Sequence, residues 1–287
     1  MNKFKIITDS GCDLSYEMVK ELDLGYIGLI CDLEGNRIVE DCGKSVTYKD
    51  FYNKLSKGAM PKTSQINPSE FYSEFDKYLS TGYDILYISF SSQLSGTHNS
   101  ALIARDELLE KYTDSKIIIV DSLSASNGLG LLVYEAAKQK QSGKTIEETA
   151  EYVKTIRNKL RCFFTVKDLK HLERGGRIGS AAAMVGSILN ISPILEVTQN
   201  GILENIGKVR GEKKALKEVV DKIGVNASAV EDIFITHADN DKAVEYVCNL
   251  IKEKYNPKNI YVNYIGLAIG SHTGQGALGI FFLGSER

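Results

Sequence analysis

The chain has 287 residues, 43% hydrophobic and 25% charged, the balance of a folded globular protein and a length that suits two domains of about 140 residues each. Its 35 Lys and Arg against 37 Asp and Glu leave a formal charge of −2, too little positive field for sequence-independent nucleic-acid binding. The cysteines, Cys12, Cys31, Cys42, Cys162 and Cys248, are 5 in number, widely spread and without a C-x-x-C pair, which excludes a disulfide framework and a thiolate zinc site.

From the amino terminus, Phe4 to Thr8 reads as a buried strand ending in Thr8-Asp9-Ser10, with no signal-peptide core around it. Ser15 caps a helix to about Leu22, and Gly25–Leu33 and Asn36–Glu40 read as two strands around Glu34-Gly35-Asn36. Lys62-Thr63-Ser64-Gln65 reads as a loop. Asn67-Pro68-Ser69-Glu70 combines an Asn cap, Pro at the first helical position and Glu at the third, so a helix starts there and runs to Leu79. Asp84–Phe90 is a strand, Ser91–Thr97 a loop, and a helix follows to Lys111. Lys116–Asp121 is a near-continuous apolar strand of the kind that helices cover on both faces. Helices over Gly128–Gln139 and Ile146–Lys159, the latter capped by Thr145, complete an alternation of strand and helix.

The second half differs in texture. Arg161–Val166 reads as a strand, Glu173–Gly179 as a Gly-rich turn before a small-residue helix, and Pro193–Thr198 with Ile202–Val209 as a hairpin around Gln199-Asn200-Gly201. Leu216, Val219, Val220 and Ile223 share one helix face. Asp232–Thr236, Lys242–Lys252 and Ile260–Ile265 read as strand, helix and strand before a glycine-rich run that ends in Ile280–Leu283. The expected fold is therefore α/β in two domains. Residues 1–160 form a three-layer α/β/α domain with a mostly parallel sheet, and 161–287 an α+β domain with a mixed sheet. The longest apolar stretch, Ala181–Leu195, is broken by Ser187, Asn190 and Ser192 and falls short of the roughly 20 residues that span a bilayer. It reads either as a buried core helix or as one wall of an apolar ligand tunnel. A cytoplasmic protein without stable membrane insertion is expected.

Open parallel sheets bind ligands beyond the carboxyl ends of their strands. Leu94-Ser95-Gly96-Thr97 lies at such an end and opens a helix, whose free N–H groups and positive dipole end favour an anion. Ser95 or Thr97 capping that helix is the plainer alternative. Thr63 and Ser64 with Gln65 make either a polar clamp for a carboxylate or an ordinary loop. His272, between Gly270 and Gly274, can donate to a carboxylate, act as acid or base, or fix a tight turn. His98, His171 and His237 look structural. Asp9, His272 and Ser95 admit a nucleophilic triad, but no G-x-S-x-G elbow exists. Gly274-Gln275-Gly276-Ala277-Leu278-Gly279 matches the dinucleotide fingerprint without room for the βαβ unit it requires. Arg174 and Arg177 flank a glycine pair and suit an anion, solvent or an acidic surface.

Thr8–Leu14, Thr63-Ser64-Gln65, Ser91–Thr97, Val120-Asp121-Ser122, Gly175-Gly176-Arg177-Ile178, Pro193-Ile194-Leu195 and Gly270–Gly274, in this order, resemble the motifs of the DegV family of bacterial fatty-acid-binding proteins. The resemblance implies a long-chain fatty acid, with no other cofactor and no metal, buried between the two domains. Its carboxylate would be held by Thr63, Ser64, Ser95 and Gly96, with His272 in the same network and Arg177 in support. It implies as well a non-catalytic role, in which the acyl carboxylate is presented to a separate fatty-acid kinase for acyl-phosphate formation and phospholipid synthesis. Separately, Arg174, Lys208, Arg210, Lys213 and Lys214 form either a basic face for docking an acidic kinase surface or an ordinary solvated face. The competing reading is a serine-dependent acyl ester hydrolase or acyltransferase using Ser95 and His272. One departure from the family pattern bears on the clamp: Ile66 stands where the family often has Pro, and the proline comes at Pro68.

Overall fold

The computed structural model describes residues 3–179, 190–227 and 230–285. β1 (Phe4–Asp9) runs into a 3-10 turn at Ser10–Cys12. α1 (Tyr16–Glu21) starts where the Ser15 hydroxyl accepts from the Met18 amide. β2 (Gly25–Ile27), β3 (Ile30–Leu33) and β4 (Asn36–Val39) follow. α2 (Tyr48–Ser56) is capped by Thr47, and β5 (Lys62–Ser64) leads to α3 (Pro68–Leu79), where Asn67 and Glu70 form a complete capping box. Next come β6 (Asp84–Ser89), α4 (Thr97–Lys111), β7 (Ile117–Asp121), α5 (Asn127–Gln141) and α6 (Ile146–Arg157). β8 (Leu160–Thr165), α7 (Lys170–Arg174), β9 (Ile191–Val197), β10 (Leu203–Arg210) and α8 (Glu212–Asn226) open the second half. β11 (Asp232–His237), α9 (Asp241–Tyr255), β12 (Asn259–Tyr264), α10 (Leu267–Thr273) and β13 (Leu278–Leu283) close the chain.

The strands form three sheets. β2-β1-β6-β7 is parallel throughout, with α3 and α4 on one face and α5 and α6 on the other. The second sheet, β10-β9-β8-β13-β11-β12, is antiparallel except for the β11–β12 pair. The fold is thus α/β, with a parallel four-stranded sheet and a separate mixed six-stranded sheet. β4-β3-β5 is a small antiparallel sheet of its own.

α5 joins the two large sheets, since it packs on β1 and β6 on one side and on β8, β11 and β13 on the other. Buried on both sides, it has no need of a polar stripe, and its first turns, Asn127 to Val133, are buried without interruption. Two glycines make the fit possible. A Cβ on Gly128 would stand 2.8 Å from Cys162 Sγ, and one on Gly130 would stand 2.7 Å from the Cys12 carbonyl oxygen.

Four expectations are corrected. Gly25–Leu33 is two strands in different sheets, because the chain changes sheet at Gly28, where a Cβ would lie 2.2 Å from the Glu40 carbonyl oxygen. Lys62–Ser64 is not loop but the edge strand β5, paired with β3 through Thr63 and Cys31. α2 was not foreseen, nor was α10, which occupies the expected glycine turn around His272. The end of the apolar stretch Ala181–Leu195, expected as a core helix or tunnel wall, belongs to β9, while the part of the small-residue helix expected after Gly179 that falls on 180–189 lies outside the described residues.

Candidate functional site

A cavity of about 410 Å³ is lined from both large sheets. Phe90, Leu94, Ala125 and Ser126 reach it from the loops after β6 and β7, and Phe164, Val197, Thr236 and Phe281 from β8, β9, β11 and β13. Most of its wall is apolar. At one part of that wall Thr63, Ser64, Gln65, Ser95, Gly96, Arg177 and His272 come together. Residues more than 200 positions apart in the sequence therefore share one surface.

The loop that carries Ser95 is fixed from several sides. Phe90 N–H donates to Asp9 Oδ2 at 2.9 Å, Ser91 Oγ donates to the Gly201 carbonyl at 2.8 Å, and Ser91 N–H donates to the Ser124 carbonyl at 2.9 Å. α4 then opens at Gly96, with no side-chain cap on that residue. Ser95 Oγ lies 2.9 Å from Thr97 Oγ1 and accepts from Thr97 N–H at 3.3 Å, so it partly serves the helix start and still lines the cavity. Gly96 is required by a close approach: a Cβ there would stand 2.0 Å from Gln65 Oε1. Gln65 in turn donates through Nε2 to Ser100 Oγ at 3.0 Å, which braces β5 against α4. The amide of the expected clamp is therefore a strut between elements.

Thr63 Oγ1 and His272 Nε2 are 2.7 Å apart. The other side of the imidazole lies against Gly175, where a Cβ would stand 2.0 Å from His272 Nδ1. Burial, reinforced by the charges of Arg177 and Arg174, pulls the His272 pKa down to about 4, so the ring is neutral at physiological pH. In the tautomer that carries its hydrogen on Nε2 the ring donates to Thr63 and the threonine hydroxyl is free to donate into the cavity; in the other, Thr63 donates to Nε2. Arg177 donates through Nε to the Leu94 carbonyl at 3.1 Å and through Nη1 to the Gly175 carbonyl, tying the glycine turn to the serine loop. It brings a positive charge to the same wall. An anion entering here meets hydroxyl donors, a helix start and a guanidinium, while its apolar remainder lies along aromatic and aliphatic walls.

The other candidates fall elsewhere. Asp9 is fully buried, and its carboxylate accepts from Tyr87 Oη, Phe90 N–H and Gly11 N–H, so it does not orient His272 and the triad is not assembled. Arg174 is exposed, with Nη1 on Met60 Sδ and Nη2 on His171 Nδ1. His98 bonds Ser89 Oγ at 2.8 Å and His237 accepts from Asn240 N–H at 3.2 Å, both in structural settings. Gly274–Ala277 lead into β13, which begins at Leu278 and runs antiparallel to β8 and β11, so the fingerprint residues open a strand rather than a helix. Among the described residues no group of three or more His, Cys, Asp or Glu is placed to hold a metal, and no helix is long and apolar enough to cross a membrane. Sequence reading missed Thr236 as a wall residue. Its signal is a hydroxyl at the end of the apolar run Ile233-Phe234-Ile235, but facing is set by the packing of β11 on α5.

These features describe an α/β protein with a mostly apolar cavity between two sheets and a cluster of hydroxyl, imidazole and guanidinium groups at one part of it. The chain belongs to the DegV family: the family model described as "Uncharacterised protein, DegV family" matches residues 3–285. A DegV domain-containing protein of Clostridium perfringens is 49% identical over 290 residues, covering 100% of this chain and 99% of the relative. A Thermotoga maritima structure described as revealing a fatty acid binding function has a TM-score of 0.87 at 28% identity, covering 99% of this chain and 100% of the other. A DegV family protein of Thermus thermophilus, described for its fatty acid binding, has a TM-score of 0.88 at 29% identity with the same coverage.

Proposed function

We propose that this protein binds a long-chain fatty acid in the cavity, with residues 1–160 and 161–287 as the two domains that enclose it. Thr63, Ser95 and backbone groups at Ser64 and Gly96 hold the carboxylate, His272 orients Thr63, and Arg177 supplies charge. The observation that carries this reading is the Thr63–His272 pair beside Ser95 and Gly96 on a mostly apolar wall. The volume falls within the range of about 300–1,000 Å³ usual for small-molecule sites. A palmitoyl tail gains on the order of 12 kcal/mol gross at about 0.8 kcal/mol per methylene, much of it offset by ordering the chain and the ligand. A carboxylate buried without partners would cost several kcal/mol, which is why the donor cluster matters.

The proposed role is non-catalytic: the protein holds the acid and presents its head to a separate fatty-acid kinase, which makes the acyl phosphate for phospholipid synthesis. A hydrolase built on Ser95 and His272 has less support, because Ser95 Oγ pairs with Thr97 Oγ1 at 2.9 Å while His272 Nε2 pairs with Thr63 Oγ1 at 2.7 Å. Protein purified from a bacterial host should release fatty acid on denaturation, detected by mass spectrometry. Ser95→Ala should keep the fold and retain about tenfold less, the loss of one hydrogen bond to a charged group. Absence of lipid, with no fatty-acid-induced rise in melting temperature, would overturn the reading.

A further inference from the structure

Asp13 and Glu40 touch neither Thr63 nor Ser95, yet both end on the start of α10, the helix that carries His272. Asp13 follows the turn after β1 and Glu40 follows β4, so two distant segments converge on one helix start. Asp13 Oδ1 accepts from Gly266 N–H at 2.9 Å, and Glu40 accepts from Leu267 N–H at 2.6 Å and from Ala268 N–H at 3.3 Å. The other oxygen of Asp13 accepts from Ser126 Oγ at 2.5 Å. Ser126 lines the cavity and holds φ 56°, ψ −145°, a conformation rarely adopted outside glycine. Gly266 completes the joint, since a Cβ there would lie 1.9 Å from Glu40 Oε1 and 2.9 Å from Asp13 Oδ1.

A helix start is ordinarily served by one serine or asparagine. Here two carboxylates, 5% and 3% exposed, serve a helix of seven residues. Burial raises both of their pKa values, Glu40 to about 7, and the charge of Glu40 adds to the rise of Asp13. Such a pair is costly as a cap alone. Two side chains from separate segments, bonded to three successive backbone N–H groups, fix this helix start from two directions, and that stiffness serves a group that must be held at an angle. The far end of α10 supplies such a group, with His272 at 2.7 Å from Thr63.

We propose that Asp13 and Glu40 are positioning residues: they lock the start of α10, and through it the orientation of His272 toward Thr63, to the turn that carries the cavity-wall residue Ser126. The ligand in this inference rests on the fatty-acid reading above, whereas its geometry does not. The test uses Glu40→Gln, Asp13→Asn and Gly266→Ala in the full chain. Two measurements are made on each: the histidine ring Cε1–H spectrum, with the His272 signal assigned by its loss in His272→Gln, and the Kd for palmitate. Each folded variant should move the His272 signal and leave in place that of His98, which bonds Ser89 away from α10. Palmitate should bind about tenfold more weakly, and Glu40→Gln should add nothing further when combined with His272→Gln. A folded variant with unchanged His272 signal and unchanged affinity would overturn the proposal. So would full additivity in the double variant, or failure of all three variants to fold, which would assign the pair to stability alone. Wild-type protein that binds no palmitate would remove the fatty-acid reading and leave the histidine spectra to decide this one.

Discussion

At the scale of single residues, His272 is the most informative group. An unfolded histidine titrates near its ordinary value of about 6.5, whereas burial holds this one near 4. Between those values the unfolded chain binds more protons than the folded one, so stability falls as pH is lowered through that window. Asp9, raised by burial to about 6, acts with the opposite sign, and the bare pH slope is therefore a mixture. The expected outcome is a difference: from pH 6.5 down to 4 the melting temperature of wild type should decline more steeply than that of His272→Gln. Parallel curves in a pH series of thermal melts would show that the imidazole is not buried as described. Ser95 and Gly96 were readable as candidates because they stand at a strand end that opens a helix, and His272 because it stands among glycines, each beside an ordinary structural alternative. The distance that makes Thr63 and His272 one unit was not readable, since 209 positions separate them.

At the scale of elements, legibility followed how local the cause was. α3 was readable to the residue because Asn67, Pro68 and Glu70 specify its start by short-range hydrogen bonds. Replacing Asn67 with Ala should lower unfolding free energy by about 1 kcal/mol in urea titration. Palmitate affinity should be unchanged, because the cap bonds only its own helix start. α10 was hidden for the opposite reason. Glycines stand at both its ends, Gly266 and Gly274, and inside it at Gly270, and its capping acceptors come from Asp13 and Glu40, more than 200 residues away. β5 was missed because a three-residue strand has too little pattern to read, and only its pairing with Ile30, Cys31 and Asp32 of β3 makes it a strand. α2 had a local signal that went unused: Thr47 Oγ1 accepts from Asp50 N–H at 3.1 Å, an ordinary cap.

At the scale of the whole molecule, one buried cluster runs from Phe4 in β1 through α5 to Phe164 and Phe281 in the mixed sheet, so the cavity is part of a continuous core. The proposed kinase contact belongs to this scale as well. Lys208 and Arg210 are exposed on the same face of β10, and Lys213 and Lys214 are exposed at the start of α8. Exposed charges at a docking face act chiefly on encounter rate and are screened by salt. Arg210→Glu should slow kinase-coupled acyl-phosphate formation severalfold at low ionic strength, with the difference shrinking as salt is added. Its bound lipid, measured by mass spectrometry, should stay the same. Equal rates for both proteins at every salt concentration would remove this face from the proposal.

Alternating strands and helices, the capping boxes, the hairpin at Asn200-Gly201 and the hydroxyl-rich loop after β6 could be read from the chain because their causes span a few residues: periodic burial, local hydrogen bonds and turn geometry. Tertiary packing alone decided that α5 is shared by two sheets, that Gly25–Leu33 divides between two, and that Thr63 meets His272. Those outcomes depend on which distant surfaces exclude water together and on where the backbone leaves no room for a Cβ. Such constraints arise only when the segments are brought into contact.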